Sequence, residues 1–321
     1  MKAIVCYKYG TTSDLQFVEV TKPVPKEKEI LIKVYATAVN DYDWAIVSGK
    51  PYIYRLLFGI TKPKNTIPGM ELSGVVESAG SAVSQFKQGD AVYGDISNFG
   101  FGSFAEYICI NEKAVVLKPD MMSFEDAAAI PHASMLAYQA ILEKGKIKPA
   151  LKILINGAGG GVGTFGLQLA KTFHAEVTGV DTGEKLEKML SLGFDHVIDY
   201  KKEDFTKSRN LYDLVIDAKT TRWPFAYLRS LNKNGKYVTV GGLLSCLLQV
   251  LFFKFWIGMF TKKQLHIVAL KPNRDLDYIH ELYAAGKIKP VIDGPFALSE
   301  AAAAIQYFGE AKHNGKVVII I

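Results

Sequence analysis

Cysteine is scarce in this 321-residue chain: Cys6, Cys109 and Cys246 stand far apart, in no spacing that suits a disulfide framework or a zinc site. That excludes a disulfide-stapled secreted domain and fits a reducing compartment. There is no low-complexity tract and no block of like charge. The net charge is +6, with lysines interspersed among acids, so nucleic acid would meet only a generic surface attraction and is not an expected partner. Residues Met1 to Gly10 read as a short strand entering a turn and lack the long apolar region and cleavage site of a signal peptide, which makes the cytoplasm the expected location. Long apolar runs are also missing, with one exception at 243–260.

The most informative stretch that is present runs from Leu151 to Gly163, where an apolar strand enters a glycine loop opening into the helical pattern Gly163–Lys171. Such a loop is a dinucleotide-binding turn. Ala158, Gly160 and Gly163 fill its three small positions, for the tight turn, for backbone approach to a pyrophosphate and for helix-on-strand packing. Gly161 and Val162 complete the helix start, whose N–H groups and partial positive charge suit phosphates. A second strand, Glu176–Asp181, ends in an acid about 20 residues further on, as ribose binding requires.

Up to about Lys118 the chain shows short alternating or apolar runs broken by Gly, Pro and Asp: Glu29–Ala38, Leu72–Ala79, Asp90–Gly94 and Ser103–Ile110. This predicts a mostly antiparallel β-domain. From Glu125 the pattern turns helical, over Glu125–Ile130 and Ser134–Leu142, and then alternates strand and helix. Six strands are predicted, Leu151–Ile155, Glu176–Val180, His196–Asp199, Leu211–Ala218, Tyr237–Val240 and Leu265–Leu270, enough for a doubly wound parallel Rossmann sheet. After a helix at Leu276–Ala285 the tail returns to β-like segments, Pro290–Ile292 and Gly315–Ile321, flanking a helix at Ser299–Phe308. The tail is expected to rejoin the first domain. The expected class is α/β, with a first β-domain part at 1–123, the dinucleotide-binding domain at 124–288 and the return segment at 289–321.

Several motifs, in order, carry a family resemblance: Asn40-Asp41-Tyr42-Asp43 with Ser48-Gly49, Pro68-Gly69-Met70-Glu71 with Gly74 and Gly80, Gly89-Asp90 with Gly94, Gly102–Tyr107, Ile130–Gln139, the glycine loop, and His313-Asn314-Gly315-Lys316. Over essentially the whole chain this resembles the medium-chain dehydrogenase/reductase superfamily, in its zinc-free quinone oxidoreductase-like branch, which includes the reticulon-interacting and chloroplast-envelope quinone oxidoreductase homologues. The resemblance implies a GroES-like fold for the discontinuous β-domain and an NAD(P)H-dependent reductase acting on a quinone, enone or enal. Where the zinc alcohol dehydrogenases carry a Cys ligand this chain reads Asn40-Asp41, and where they carry a His before Glu it reads Met70-Glu71. Their lobe of four closely spaced cysteines is absent. Glu71 and Asp43 alone offer only hard oxygen ligands, so no zinc is expected.

The resemblance also assigns residues. Asn40 is expected to contact the nicotinamide or a substrate oxygen, Asp43 to orient that loop or to cap nearby backbone N–H groups, and Tyr52 to be a proton donor, although it lies one residue out of the family's register. Val47 stands where an arginine is common, and Leu136 where a threonine is usual. His132, on an apolar helix start, reads as a hydrogen-bonded core histidine or an acid/base group. Asp181 accepts both ribose hydroxyls of NAD and repels the extra phosphate of NADP, while Lys185 lies where it could reach that phosphate; NAD is slightly favoured. Val240, Gly241 and Gly242 follow the fifth strand and are expected to admit the nicotinamide. Tyr200 and Lys316 match positions near the cofactor. The alternative function is a nucleotide-binding, membrane-associated or regulatory protein with little catalysis.

The apolar run 243–260 is nearly long enough to cross a bilayer. A crossing would put the fifth and sixth strands on opposite sides of the membrane, so three readings stand: a lid or wall of the substrate pocket, part of a homodimer interface, or a helix in peripheral contact with a membrane surface.

Overall fold

The computed structural model describes residues 1–208 and 210–321, which divide into two units: 1–132 with 272–276 and 292–321, and 133–271 with 277–291. In the first, β1 (Lys2–Val5) pairs antiparallel with β2 (Gln16–Glu19), and β3 (Glu29–Ala38) is followed by two helices, α1 (Asp41–Ser48) and α2 (Tyr54–Phe58). Strands β4 (Glu71–Ala79), β5 (Ala91–Asp95), β6 (Tyr107–Asn111) and β7 (Val116–Leu117) and helix α3 (Phe124–Ala129) complete its N-terminal part.

Helix α4 (Pro131–Tyr138) runs on through a π-helical segment, Gln139–Lys144, before the alternating region. There β8 (Lys152–Asn156), α5 (Gly161–Lys171), β9 (Glu176–Asp181), α6 (Leu186–Leu192), β10 (His196–Asp199), β11 (Tyr212–Asp217), α7 (Pro224–Leu228), β12 (Leu231–Thr239), α8 (Leu244–Thr261), β13 (Gln264–Ile267) and α9 (Leu276–Ala284) follow in turn. The tail supplies β14 (Ile292–Ala297), α10 (Ala301–Gly309) and β15 (Lys316–Ile320).

The first unit's large sheet has the order β14-β15-β3-β4-β5-β7, with β6 also pairing β3. Antiparallel pairing of Val318 to Ala38 and of Ile320 to Ala36 stitches the tail to β3, so this domain is discontinuous, as the GroES-like reading requires. The expected boundary at 123/124 moves to 132/133. Ala128 and Ala129 of α3 pack with Ala36, Ala38 and Val318, and Ser73 Oγ donates to the Phe124 carbonyl at 2.6 Å, so the helix is part of the β-unit's core. Two further shifts come with it: 272–276 belongs to the first unit, and 289–291 to the second.

In the second unit every strand pair is parallel, in the order β10-β9-β8-β11-β12-β13. Counted along the chain this is 3-2-1-4-5-6, the doubly wound order whose direction switches between the first and fourth strands, here β8 and β11. Its core is built from Leu154, Val215, Tyr237 and Leu265, to which α8 adds Val250 and Ile257. The strands before and after α8 pair side by side, from Lys236 with Gln264 to Thr239 with Ile267, so a helix tethered to both cannot cross a bilayer.

Candidate functional site

The glycine loop leaves β8 and enters α5 at the sheet's switch point. Gly157 and Ala158 both donate to the Val180 carbonyl, at 2.9 and 3.1 Å, which ties the turn to β9. Gly160 caps α5, and the N–H groups of Gly161, Val162 and Gly163 have no partner inside the helix; the first internal bond is that from Thr164 to the Gly160 carbonyl at 2.9 Å. These donors, at the positive end of an eleven-residue helix, suit a pyrophosphate. At Gly163 a Cβ would lie 2.3 Å from the Ala158 carbonyl oxygen, so only glycine lets helix and turn approach this closely.

Asp181 ends β9 and is nearly buried. One carboxylate oxygen accepts from the Gly159 N–H at 2.9 Å and the other from Thr182 at 2.8 Å. The Lys185 ammonium lies 3.8 Å from it, itself buried. The acid therefore holds the glycine loop in place. Tyr200 follows β10, exposed, and its N–H donates to the Asp181 carbonyl at 3.2 Å.

The two glycines after β12 differ. At Gly242, φ is +142° and a Cβ would meet Thr220 backbone oxygen at 2.4 Å, so that glycine is required by the chain itself. A Cβ at Gly241 would have nothing within 4 Å, so that glycine is not required by the packing of the chain. Val240 holds the loop down, donating to the Asp217 carbonyl at 3.0 Å.

Asp217 was not singled out by its sequence context, yet it organises the switch point. Fully buried at the end of β11, its carboxylate accepts from Asn156 Nδ2 at 2.7 Å, from Tyr237 Oη at 2.7 Å and from the Lys219 N–H at 2.9 Å. Burial, together with that carboxylate, pushes the Tyr237 phenol well above its ordinary pKa, so it stays a donor. Thr220 and Thr239 extend the chain of hydroxyls toward Gly241.

A second buried network lies in the first unit. Asn40 caps α1, and Asp43, at the third helical position, accepts the Asn40 N–H at 2.9 Å through one oxygen and the Gly69 N–H at 2.8 Å through the other. Asp43 thus clamps two turns together. Burial pushes its pKa up to about 7 against the pull of those two bonds. The Asn40 amide donates to Glu71 Oε2 at 2.7 Å and to the Ala38 carbonyl at 3.1 Å, and its Oδ1 accepts from Lys316 Nζ at 2.5 Å. Lys316 also donates to Glu71 Oε2 at 2.6 Å, with Glu71 fully buried.

Glu71 in turn accepts the His132 N–H at 2.5 Å, and the His132 ring pairs through Nδ1 with Asp95 at 2.8 Å. Burial opposes a charged imidazole, but the Asp95 carboxylate outweighs it and holds the His132 pKa above its ordinary value. Burial likewise raises Asp95, and His132 with Ser97 more than offsets it, leaving the carboxyl below its usual range. His132 is therefore a hydrogen-bonded, ion-paired histidine, its ring tilted 57° to that of Tyr42 with 6.4 Å between ring centres.

The structure brings Asn40, Asp43 and Lys316 together; Tyr52 is not brought to them. Tyr52 is 67% exposed, with the Arg55 guanidinium 4.9 Å from its ring centre, while the phenol in the aromatic group beside His132 is Tyr42. Val47 is buried, in the same hydrophobic cluster as Phe104 and Leu298.

These residues do not fit a zinc ion. Asn40, Met70 and Glu71 offer one carboxylate, and the Lys316 ammonium already sits between Asn40 and Glu71, a cation in the place of a cation. Among the described residues no group of three His, Cys, Asp or Glu is placed to hold a metal.

Two family models match the chain: "Alcohol dehydrogenase GroES-like domain" over residues 26–120 and "Zinc-binding dehydrogenase" over residues 192–319. The chain is 36% identical to a 2-methylene-furan-3-one reductase of Solanum lycopersicum, over 99% of this chain and 79% of that protein. It is 34% identical to a chloroplastic NADPH-dependent alkenal/one oxidoreductase of Arabidopsis thaliana, with the same coverage. Among solved structures, the quinone oxidoreductase of Coxiella burnetii superposes with a TM-score of 0.85 at 26% identity, over 100% of this chain and 99% of that one.

Proposed function

The chain belongs to the medium-chain dehydrogenase/reductase superfamily, and from that premise we propose that it is an NAD(P)H-dependent oxidoreductase that reduces quinones or α,β-unsaturated carbonyls without zinc. The relatives' names, a furanone reductase, an alkenal/one oxidoreductase and a quinone oxidoreductase, share conjugated carbonyl acceptors. The observation that carries the reading is the glycine loop at the switch point, with helix donors at one end and Asp181 at the other.

When bound, the nicotinamide supplies a hydride to an electron-poor acceptor carbon. Everything else falls to the chain. Gly160, Gly161, Val162 and Gly163 bind the pyrophosphate, Asp181 the ribose, and Gly241 leaves room for close approach. Asn40 has spent both N–H groups, so Oδ1 can accept one more hydrogen bond but the side chain cannot donate one. Lys316 Nζ keeps one N–H beyond its bonds to Asn40 and Glu71, and this is the donor in that network proposed for an oxygen gaining charge. Asp43 is a positioning residue. Tyr52 stands at the surface and takes no part in this network.

The proposal is tested by stopped-flow oxidation of NADH and NADPH against quinones, enals and enones, with and without a strong chelator. Turnover indifferent to chelation, on protein lacking stoichiometric zinc by elemental analysis, is expected. Activity lost with extracted zinc would refute the zinc-free chemistry, and tight NADH binding without turnover on any acceptor would favour a nucleotide-binding protein instead.

NADH is the proposed preferred reductant, because a second-strand carboxylate repels a 2′-phosphate and Lys185 is engaged beside it. Asp181→Ser should shift the NADH-to-NADPH preference toward NADPH by about 1–3 kcal/mol, the scale of a charged hydrogen bond. Paired titrations of the two nucleotides decide it: a wild type that prefers NADPH, with a ratio untouched by the substitution, would remove Asp181 from the ribose. The same reading includes a homodimer, for which the unpaired outer edge of β13 is suited, a reducing location such as the cytoplasm, consistent with three free cysteines, and peripheral membrane contact through 243–260.

A further inference from the structure

Helix α8 is apolar around its whole circumference, yet only 17% of it is buried. Cys246, Val250 and Ile257 face inward, and Val250 and Ile257 join the core against Leu265. Outward stand Leu248, Leu251, Phe252, Phe255, Trp256 and Phe260, with Phe252 at 69% and Phe260 at 75% exposure. The patch continues onto the start of α7 through Phe253, whose ring lies 5.3 Å from both Trp223 and Phe225. A helix apolar on every side is stable only when something covers it.

Charge indicates what does. From Ala218 to Arg274 there is no Asp or Glu at all, against ten Lys and Arg. Lys254 projects from the exposed helix itself, and Lys262 stands exposed just past its end, where the chain leaves the helix in a left-handed turn. A second copy seated on this face by a twofold axis would press these cations against their own counterparts. An anionic lipid surface would attract them, while aromatic and leucine side chains enter the acyl boundary and lysine stems reach back to headgroups.

We propose that α8 is a monotopic membrane anchor, lying in the plane of a bilayer rich in anionic lipid, with Phe252, Phe255 and Trp256 inserted and Lys254 and Lys262 at headgroup level. Its tethering to the adjacent, paired strands β12 and β13 keeps both of its ends on one side of the bilayer. The inference rests on the membrane contact proposed above, to which it gives an orientation, inserted residues and a lipid class, and it stands or falls apart from the reductase chemistry.

The test is sedimentation of the full chain with vesicles of phosphatidylcholine, alone and mixed with phosphatidylglycerol. Wild type should sediment with the anionic vesicles and be released by alkaline carbonate without detergent. A Phe252→Ser, Phe255→Ser, Trp256→Ser variant should bind at least about tenfold more weakly, and Lys254→Glu, Lys262→Glu should cost roughly fivefold per lysine. Melting temperatures should be unchanged, since these side chains point to solvent. Wild type remaining in the supernatant with both vesicle types would overturn the proposal. So would a dimer that the triple variant dissociates in analytical ultracentrifugation, which would make the cover a second copy, or protein that withstands carbonate and needs detergent, which would mean insertion across the bilayer.

Discussion

Lys316→Met is expected to destabilise the protein by about 3–5 kcal/mol, the cost of stranding a buried carboxylate without its cation. Glu71 is inaccessible to water and accepts from Lys316, Asn40 and the His132 N–H, so the loss of Nζ leaves it with two neutral donors and no compensating charge. Asn40 Oδ1 loses its partner as well. Denaturant melts of purified protein measure the change, and a second substitution separates its causes. Lys316→Met combined with Glu71→Gln removes the stranded charge and should recover part of the loss, because an amide tolerates burial that a carboxylate does not. A single variant within about 1 kcal/mol of wild type would mean that the ion pair contributes as little as an exposed one.

That network also shows where reading the sequence stops. The six parallel strands and the glycine loop are legible because apolar runs, a loop and an acid follow one another within a short span. The start of β12 is not: the strand predicted from Tyr237 begins at Leu231, because Leu231 and Lys236 pair with Tyr212 and Leu214 of β11 on either side of a register shift at the polar, glycine-containing residues between them. Helix α1 hides for a related reason. Its cap is legible only in part: capping of backbone N–H groups is one of the two roles expected of Asp43, but nothing in the motif marks the helix that follows. Buried polar pairs are the least legible. His132 and Asp95 are 37 residues apart and Lys316 and Glu71 are 245 apart, so nothing local marks them as partners. Asp217 is one more acid ending an apolar strand until Asn156 and Tyr237 are seen to donate to it. Tyr52 illustrates the converse, a residue chosen by position in a motif whose side chain the fold leaves at the surface.

Gly163→Ala should lower NADH affinity by at least about tenfold and destabilise the second unit, whereas Gly241→Ala should leave stability unchanged. The contrast follows from what a methyl group would meet. At 163 it would lie 2.3 Å from the Ala158 oxygen and 2.5 Å from that residue's Cα and carbonyl carbon, all backbone. Ala158 cannot retreat, being fully buried and bonded to the Val180 carbonyl, so α5 must tip away from the turn and carry its N-terminal donors with it. Overpacking of this kind costs about 1–3 kcal/mol, with backbone clashes at the upper end, and the displaced donors lose their aim on the pyrophosphate. At 241 the added methyl meets no protein atom within 4 Å, so any fall in affinity for nucleotide or acceptor must come from the ligand itself. Fluorescence titration with NADH and thermal melts of both variants give the four values needed. Undiminished NADH binding by Gly163→Ala would reduce the loop to a structural turn, and a Gly241→Ala protein indistinguishable from wild type in every kinetic constant would place the ligand away from that loop.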